Sequence, residues 1–293
     1  MPRPATRRDV PNFVRCGLFR WLLPPAEHPR LARVMRFAVL GSGSSGNAAV
    51  VEAGGMVVLV DAGLSAKQIA LRLLALGINP ARIGAVLLTH EHGDHIRGLR
   101  VLMKQISAPV FATPQTARLV RESGVLAGGW KLFEAGQDFP VGGLEVGTFS
   151  IQHDAVDPVG FVFRYQQAGL GMVSDAGHVT NGLPVRLKGL QGLFLEANYD
   201  ESMLEADEKR PWSTKQRISS KHGHLSNSQA AELVAEVAHE GLRRVVLGHL
   251  SRDCNAPDVA LRTVRKRLAE DGWNGVNVHC ACQDETSPWW TLG

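Results

Sequence analysis

The feature that most constrains this chain is a histidine cluster at residues 89–95, with the sequence Thr-His-Glu-His-Gly-Asp-His. The cluster directly follows the apolar run of residues 85–88, which predicts a short buried strand, and loops at strand ends often carry chemistry on a rigid scaffold. We expect Gly93 to let the chain bend, so that the imidazoles and the Asp94 carboxylate face one spot. Such groups, without cysteine, are typical of a zinc, iron or manganese site rather than a closed structural zinc site. A solvated loop rich in histidine is the alternative interpretation.

The composition is that of an ordinary soluble globular protein. Of 293 residues, 44% are hydrophobic and 20% are charged, which suits one domain of about 250 residues or two smaller ones. No apolar run approaches the roughly 20 residues of a membrane span, so we expect no membrane partner. The cysteines lack the spacing of a disulfide framework, which predicts free thiols, no disulfide partner and a cytoplasmic location. These cysteines are Cys16, Cys254, Cys280 and Cys282.

The positive charge of the chain is concentrated in residues 1–36. This segment contains eight arginines and two acids, a net charge of +6, so the whole-chain charge of +4 leaves −2 for the other residues. Basicity is therefore no evidence that the remainder binds nucleic acid. Residues 1–35 show little periodicity, which predicts either a disordered extension or an upstream start codon with Met35 as the true beginning. Residues 36–293 are the predicted folded domain.

From residue 36 onward, strand and helix patterns alternate, which predicts an α/β fold. Predicted strands lie at residues 37–40, 49–51, 56–60, 85–88 and 144–151. The pair Gly54-Gly55 predicts a two-residue hairpin between the second and third of these strands. Helical spacing of apolar residues predicts helices over residues 65–76, 96–106 and 114–123. Ser226 and Gln229 form a capping box that predicts the start of another helix.

The histidine cluster resembles the metal-binding signature of the metallo-β-lactamase fold, and later stretches resemble that family's other motifs in the same order. The residues that carry these further motifs are Asp61, His153, Asp175 and His249. The resemblance implies an α/β fold of the metallo-β-lactamase type, an αββα sandwich in which two mixed sheets pack between helices. It also implies a hydrolase whose cofactors are two divalent metal ions, zinc or manganese.

The resemblance further implies a role for each motif residue. The implied ligands of one metal ion are His90, His92 and His153. The implied ligands of the other are Asp94, His95 and His249, with Asp175 between the two ions. Asp61 would steady the metal-binding loop through hydrogen bonds, and Asp94 would also orient the attacking hydroxide. Without the resemblance, a lone histidine such as His153 is more often a satisfied polar group than a ligand.

The last third of the chain resembles the phosphodiesterase branch of this fold, which includes ribonuclease Z. That resemblance implies that His224 protonates the leaving oxygen and that Glu196 orients His224, the alternative being a polar cluster that caps a helix. Residues 41–47, 153–160 and 223–227 resemble motifs of the YycJ/WalJ group, which implies a nuclease, with double-stranded DNA exonuclease activity favoured. An RNA-processing nuclease of the ribonuclease Z type and a glyoxalase-like thioester hydrolase remain alternatives.

Contacts to the substrate are predicted in two regions. In the glycine-serine loop, either Ser44, Ser45 and Asn47 bind a phosphate or the loop is only a tight connection. Ser226 lies at a predicted helix start, where free N–H groups favour an anion. A segment without acids contains five cations that either contact the backbone of a DNA partner or lie in a solvated loop. These cations are Lys209, Arg210, Lys215, Arg217 and Lys221, and the sequence leaves the oligomeric state open.

Overall fold

The computed structural model describes residues 34–293, and its strands form two seven-stranded sheets. In spatial order, the strands of the first sheet are β14 (Trp290–Leu292), β1 (Met35–Gly41), β2 (Ala48–Ala53), β3 (Met56–Val60), β4 (Ile83–Leu87), β5 (Val110–Ala112) and β6 (Trp130–Leu132). The strands of the second sheet are β13 (Asn277–Cys280), β12 (Arg244–Gly248), β11 (Gly192–Glu196), β10 (Ala168–Val173), β9 (Val159–Tyr165), β8 (Leu144–Ser150) and β7 (Asp138–Val141). Each sheet contains antiparallel and parallel strand pairs, so both sheets are mixed.

Helices cover the outer faces of both sheets. The helices of the described residues are α1 (Ala66–Ala75), α2 (Gly93–Ile96), α3 (Leu99–Leu102), α4 (Pro114–Glu122), α5 (Gly182–Leu187), α6 (Glu201–Ala206), α7 (Trp212–Ile218), α8 (Asn227–Val237) and α9 (Pro257–Glu270), with a 3₁₀ turn at Pro80–Arg82. Ile69 of α1 and Val120 of α4 pack against the first sheet, and Val234 of α8 and Val264 of α9 pack against the second. A third apolar layer, which includes Phe161, lies between the sheets. The predicted αββα sandwich is therefore confirmed.

Most of the predicted elements are present with ends within two residues of the prediction. Gly54 and Gly55 have φ values of 57° and 78°, as the predicted hairpin requires. Both hydrogen bonds of the capping box between Ser226 and Gln229 are present at the start of α8.

The predicted helix over residues 96–106 is wrong, because the chain forms the two short helices α2 and α3 instead. The break falls at Gly98, whose N–H donates to Ala62 O at 2.8 Å. A Cβ atom on Gly98 would lie 1.9 Å from Leu64 O, so this turn packs directly on the backbone that follows β3. Apolar spacing alone does not reveal such a close backbone approach.

The described residues include Met35, which precedes the predicted folded domain. Met35 is fully buried, lies in β1 and pairs with Leu292 and Ala53, one residue before the predicted boundary. The predictions for residues 1–33, including Cys16, lie outside the described residues. Among the described residues, Cys254, Cys280 and Cys282 are free thiols. Within residues 34–293 we find no helix with the length and apolar character that a bilayer crossing requires.

Candidate metal centre

The ends of five strands carry the predicted site residues. Asp61 follows β3, the histidine cluster follows β4, Asp175 follows β10, Glu196 ends β11 and His249 follows β12. Because neighbouring parallel strands end at the same edge of a sheet, these residues meet where the two sheets face each other. Asp61, Asp175 and His249 have φ values of 58°, 51° and 54°, which are uncommon outside glycine and are often found at functional sites.

The first donor group consists of His90, His92 and His153, whose ring nitrogens lie within 4.8 Å of one another. His153 Nε2 is 3.3 Å from His92 Nδ1. His153 Nδ1 donates to Gly223 O at 2.9 Å, and this bond leaves the Nε2 lone pair of a neutral ring facing the other histidines. His90 Nε2 is buried without a hydrogen-bond partner among the described residues. Three imidazole lone pairs therefore converge on one point.

The second donor group consists of Asp94, His95, Asp175 and His249. Asp175 Oδ2 lies 2.8 Å from His95 Nε2, and Asp94 Oδ2 lies 3.7 Å from His95 Nε2 and 3.6 Å from His249 Nε2. His249 Nε2 is a second buried nitrogen without a hydrogen-bond partner in the described part of the chain. One donor atom each of His90, His95 and Asp175 also lie within 4.8 Å of one another. Because His90 belongs to the first group and His95 to the second, Asp175 lies between the two groups.

These residues fit divalent transition-metal ions. An unpaired buried polar atom costs about 1–3 kcal/mol, and the site contains two such atoms, on His90 and His249. Coordination of a cation by each of these nitrogens would remove that cost. The donors are imidazoles and carboxylates without thiolate, which suits zinc, manganese or iron rather than a thiolate-bound structural zinc.

Opposite charges stabilise the second donor group. Burial alone would lower the pKa of His95, but the carboxylates of Asp175 and Asp61 outweigh burial and raise this pKa to about 10. The pKa of His249 is raised well above its usual value against the effect of burial, mainly by Asp175. In the first group, burial and the neighbouring His95 lower the pKa of His90 well below its usual value. His90 therefore favours the neutral form that binds a metal ion, whereas the carboxylates around His95 and His249 favour positive charge, which a cation could supply in place of a proton.

Asp61 supports the metal-binding loop from beneath. Its Oδ1 accepts from Thr89 N at 2.9 Å, and its Oδ2 lies 2.8 Å from both Thr89 Oγ1 and His95 Nδ1. Thr89 Oγ1 also lies 3.0 Å from His90 Nδ1. Sequence analysis did not single out Thr89, although it is the first residue of the motif. Asp61 and Thr89 together therefore orient the rings of His95 and His90.

Glu196 orients two histidines with one oxygen. This fully buried carboxylate places Oε1 2.7 Å from His224 Nδ1 and 2.7 Å from His249 Nδ1. Its other oxygen, Oε2, accepts from Ala176 N at 2.8 Å and Leu225 N at 3.2 Å. The ring of His224 lies 5.2 Å from that of His153 and 5.1 Å from that of His249, beside both donor groups.

The residues predicted to bind phosphate lie in different environments. Ser44 and Ser45 are exposed, whereas Ser226 is buried and its hydroxyl accepts from Gln229 N at 3.2 Å. Asn47 is buried, and its Nδ2 lies 3.1 Å from His95 Nε2. Ser42, which sequence analysis did not single out, accepts from His249 N at 2.7 Å and donates to Asn47 Oδ1 at 3.2 Å. The glycine-serine loop therefore supports the second donor group with its buried side chains.

The cationic segment is mostly paired with acids from other parts of the chain. Lys209 and Arg210 contact Asp253 at 2.8 and 2.9 Å, and Arg217 contacts Asp154. Further contacts join Arg210 to Asp207 and Lys215 Nζ to the backbone of Glu205. The absence of acids within the segment therefore did not predict free cations, because Asp253 and Asp154 from distant sequence positions and Asp207 from just before the segment pair with three of them. For Lys221, the described residues provide no ion pair.

Known proteins resemble this chain. Residues 57–250 match the family described as the beta-lactamase superfamily domain. The chain is 34% identical to exodeoxyribonuclease YycJ of Bacillus anthracis over 241 residues, which cover 82% of this chain and 91% of that protein. It is 33% identical to exodeoxyribonuclease WalJ of Streptococcus pneumoniae over 257 residues, which cover 86% of this chain and 94% of that protein.

A solved structure, the metallo-β-lactamase fold protein YhfI from Bacillus subtilis, is similar in fold. The two structures align with a TM-score of 0.68 and 14% sequence identity. The alignment covers 88% of this chain and 99% of the YhfI chain. At this level of identity the similarity concerns the fold alone.

Proposed function

The chain belongs to the beta-lactamase superfamily, within the YycJ/WalJ group, and on this basis we propose that it is a metal-dependent exonuclease acting on double-stranded DNA. Its relatives at 33–34% identity are exodeoxyribonucleases and match more than four fifths of the chain. This similarity supports DNA over RNA as the substrate. These relatives are nucleases, and cleavage of a phosphodiester bond by a nuclease is a hydrolysis.

We propose that two divalent ions, zinc or manganese, bind to the two donor groups. His90, His92 and His153 would bind the first ion, Asp94, His95 and His249 the second, and Asp175 would contact both. When bound, the ions would supply Lewis-acid stabilisation of the phosphate and lower the pKa of the attacking water. Asp94 would orient this water through a hydrogen bond, and Asp61 would keep the loop in place.

The observation that carries the proposal is the hydrogen bond of 2.7 Å between His224 Nδ1 and Glu196 Oε1. A carboxylate at Nδ1 favours the protonated ring, and Nε2 on the opposite side can then donate a proton. An alkoxide leaving group needs such a proton, whereas a thiolate leaves without one because a thiol is a much stronger acid than an alcohol. A positioned acid therefore favours phosphodiester hydrolysis over thioester hydrolysis.

The test is incubation of the purified chain with Mn²⁺ or Zn²⁺ and several candidate substrates. We expect end-labelled linear duplex DNA to lose nucleotides from its ends, and the same DNA as a closed circle to remain intact. A tRNA precursor and S-lactoylglutathione serve as the competing substrates. Cleavage of the thioester without any phosphodiester cleavage, or of the tRNA precursor in preference to DNA, would contradict the proposal.

A further inference from the structure

A groove lies between helices α6 and α7, in the segment between Glu196 and His224. Its volume is about 270 Å³, slightly below that of a site for a drug-sized molecule. The lining residues are Tyr199, Glu201, Leu204, Glu205, Trp212, Lys215, Gln216 and Ser219. The volume of the groove and its two aromatic side chains suit a ligand with one small planar ring system.

The two aromatic residues of the groove differ in exposure. Tyr199 is buried, with 5% of its surface exposed, whereas Trp212 is 68% exposed. Trp212 is the one aromatic residue among the exposed large apolar side chains of residues 34–293. Exposure of a tryptophan side chain to water is unfavourable in free energy. An exposed indole at a groove offers a flat surface on which another ring can stack.

The groove is connected to the candidate metal centre through the backbone and an ion pair. His224 N donates to Ile218 O, at the end of α7, over 2.9 Å. Arg217 of α7 pairs with Asp154, which directly follows His153. On the other wall, Tyr199 follows Glu196 by three residues. The groove is therefore formed by the segment that joins Glu196 to His224, the two residues of the proposed acid pair.

The charges of the groove disfavour a phosphate and suit a nucleobase. Glu201 and Glu205 would repel a phosphate, while Lys215 already donates through Nζ to Glu205 O at 2.7 Å. Carboxylates accept hydrogen bonds from the exocyclic amino groups of bases, and Gln216 and Ser219 offer both donors and acceptors. A base is neutral, planar and small, whereas the nucleic-acid backbone is anionic.

We propose that this groove binds an unpaired nucleobase of the DNA substrate, stacked on the indole of Trp212, beside the phosphodiester that is cleaved. The inference rests on the proposed nuclease function and extends it, because it predicts a preference for duplex ends that carry an unpaired nucleotide. Stacking of a base on an aromatic side chain is sequence-tolerant, since every base has a π face.

The test is equilibrium binding rather than turnover. The full chain, supplied with Mn²⁺, is titrated against two fluorescent duplexes that each have a short single-stranded end and phosphorothioate linkages, which resist hydrolysis. One end contains thymines and the other contains abasic sites at the same positions. We expect the thymine end to bind more tightly, and Trp212→Ala to weaken its binding about 5- to 100-fold. We expect the abasic end to bind equally well to both proteins.

Two further variants control the experiment. Trp212→Phe keeps a stacking surface and should retain most of the preference for thymine. Leu126→Ala removes another exposed apolar side chain, which is 80% exposed, and should leave both affinities unchanged. Equal binding of the two duplexes by the unaltered protein, or an equal loss of both affinities in Trp212→Ala, would overturn the inference. Because the readout is binding, absence of phosphodiester cleavage in the substrate assay would refute the proposed function separately.

Discussion

Oε1 of Glu196 lies 2.7 Å from Nδ1 of His249, and the same oxygen lies 2.7 Å from Nδ1 of His224. One fully buried carboxylate therefore orients both a candidate metal ligand and the candidate acid. Its other oxygen is occupied by two backbone N–H groups, so the carboxylate cannot rotate without losing several hydrogen bonds. In the proposed mechanism, metal binding by His249 and proton donation by His224 are therefore linked through this residue.

Glu196→Gln should impair both functions together. An amide of the same shape presents N–H groups to neighbours that are themselves donors, so it cannot replace all four bonds of the carboxylate. We expect metal affinity and the rate of DNA hydrolysis each to fall about 10- to 100-fold. Metal titration and kcat measure the two effects, and Glu145→Gln, at an exposed position of β8, is the control. A loss of activity with unchanged metal affinity would show that Glu196 acts on His224 alone.

His224→Asn should affect substrates according to their leaving groups. If His224 protonates the leaving oxygen, its loss should slow DNA hydrolysis about 10²- to 10⁴-fold. Bis(p-nitrophenyl) phosphate should be affected much less, because p-nitrophenolate leaves without a proton. His222→Asn, at an exposed position two residues away, should change neither rate. Equal losses on both substrates would contradict the acid role and indicate a positioning role for His224.

The fold could be predicted because it depends on local sequence patterns, whereas the candidate donor residues were implied by the resemblance to a known family. Short apolar runs define the strands, and the residue directly after a strand must lie at the sheet edge, as Asp61 and His249 do. Parallel pairing then brings the ends of β3 and β4, and of β10, β11 and β12, to common edges. The order of the motifs therefore contained much of the geometry of the site.

The features that were not predicted depend on contacts between distant parts of the chain. Arg217 pairs with Asp154, and Ser42 accepts from His249 N across more than two hundred residues of sequence. The break at Gly98 results from backbone packing, which hydrophobic spacing does not encode. Gly93 was expected to supply a bend, but it begins α2 and is not among the residues with positive φ. The turn instead comes from the helix start at His92, whose backbone is extended.

Substitution by alanine should have different effects on stability and metal content at two glycines near the metal-binding loop. A Cβ atom on Gly63 would lie 1.6 Å from Asp94 O, whereas one on Gly93 would meet nothing within 4 Å. Gly63→Ala must therefore displace the loop that carries Asp94, and we expect it to destabilise the fold by about 1–3 kcal/mol and to lower metal content. Gly93→Ala should keep metal content and stability, since alanine suits a helix start better than glycine. Chemical denaturation and elemental analysis test both, and equal effects of the two substitutions would contradict this packing.

Cys280 and Cys282 should differ in their reaction with iodoacetamide. Burial and the neighbouring Cys282 raise the pKa of Cys280 to about 12, while Cys282 is exposed. Because the thiolate is the nucleophile, a raised pKa keeps Cys280 in its unreactive thiol form at neutral and mildly alkaline pH. Peptide mass spectrometry should find Cys282 alkylated first, with Cys280 following only as the pH approaches 12. Faster labelling of Cys280 would contradict the burial of its thiol.

Removal of metal should destabilise the fold as well as abolish activity. Without a cation, His90 Nε2 and His249 Nε2 remain buried and unpaired, and the carboxylates of the second group lose a positive partner. A ligand at about 100 times its Kd stabilises a protein by about 2.7 kcal/mol. Dialysis against EDTA should therefore lower the Tm, and addition of Mn²⁺ or Zn²⁺ should restore it, with two ions per chain by elemental analysis. A variant with both His90→Ala and His249→Ala should bind less metal and show a smaller shift. An unchanged Tm, with no metal in the carefully purified protein, would contradict the assignment of both donor groups.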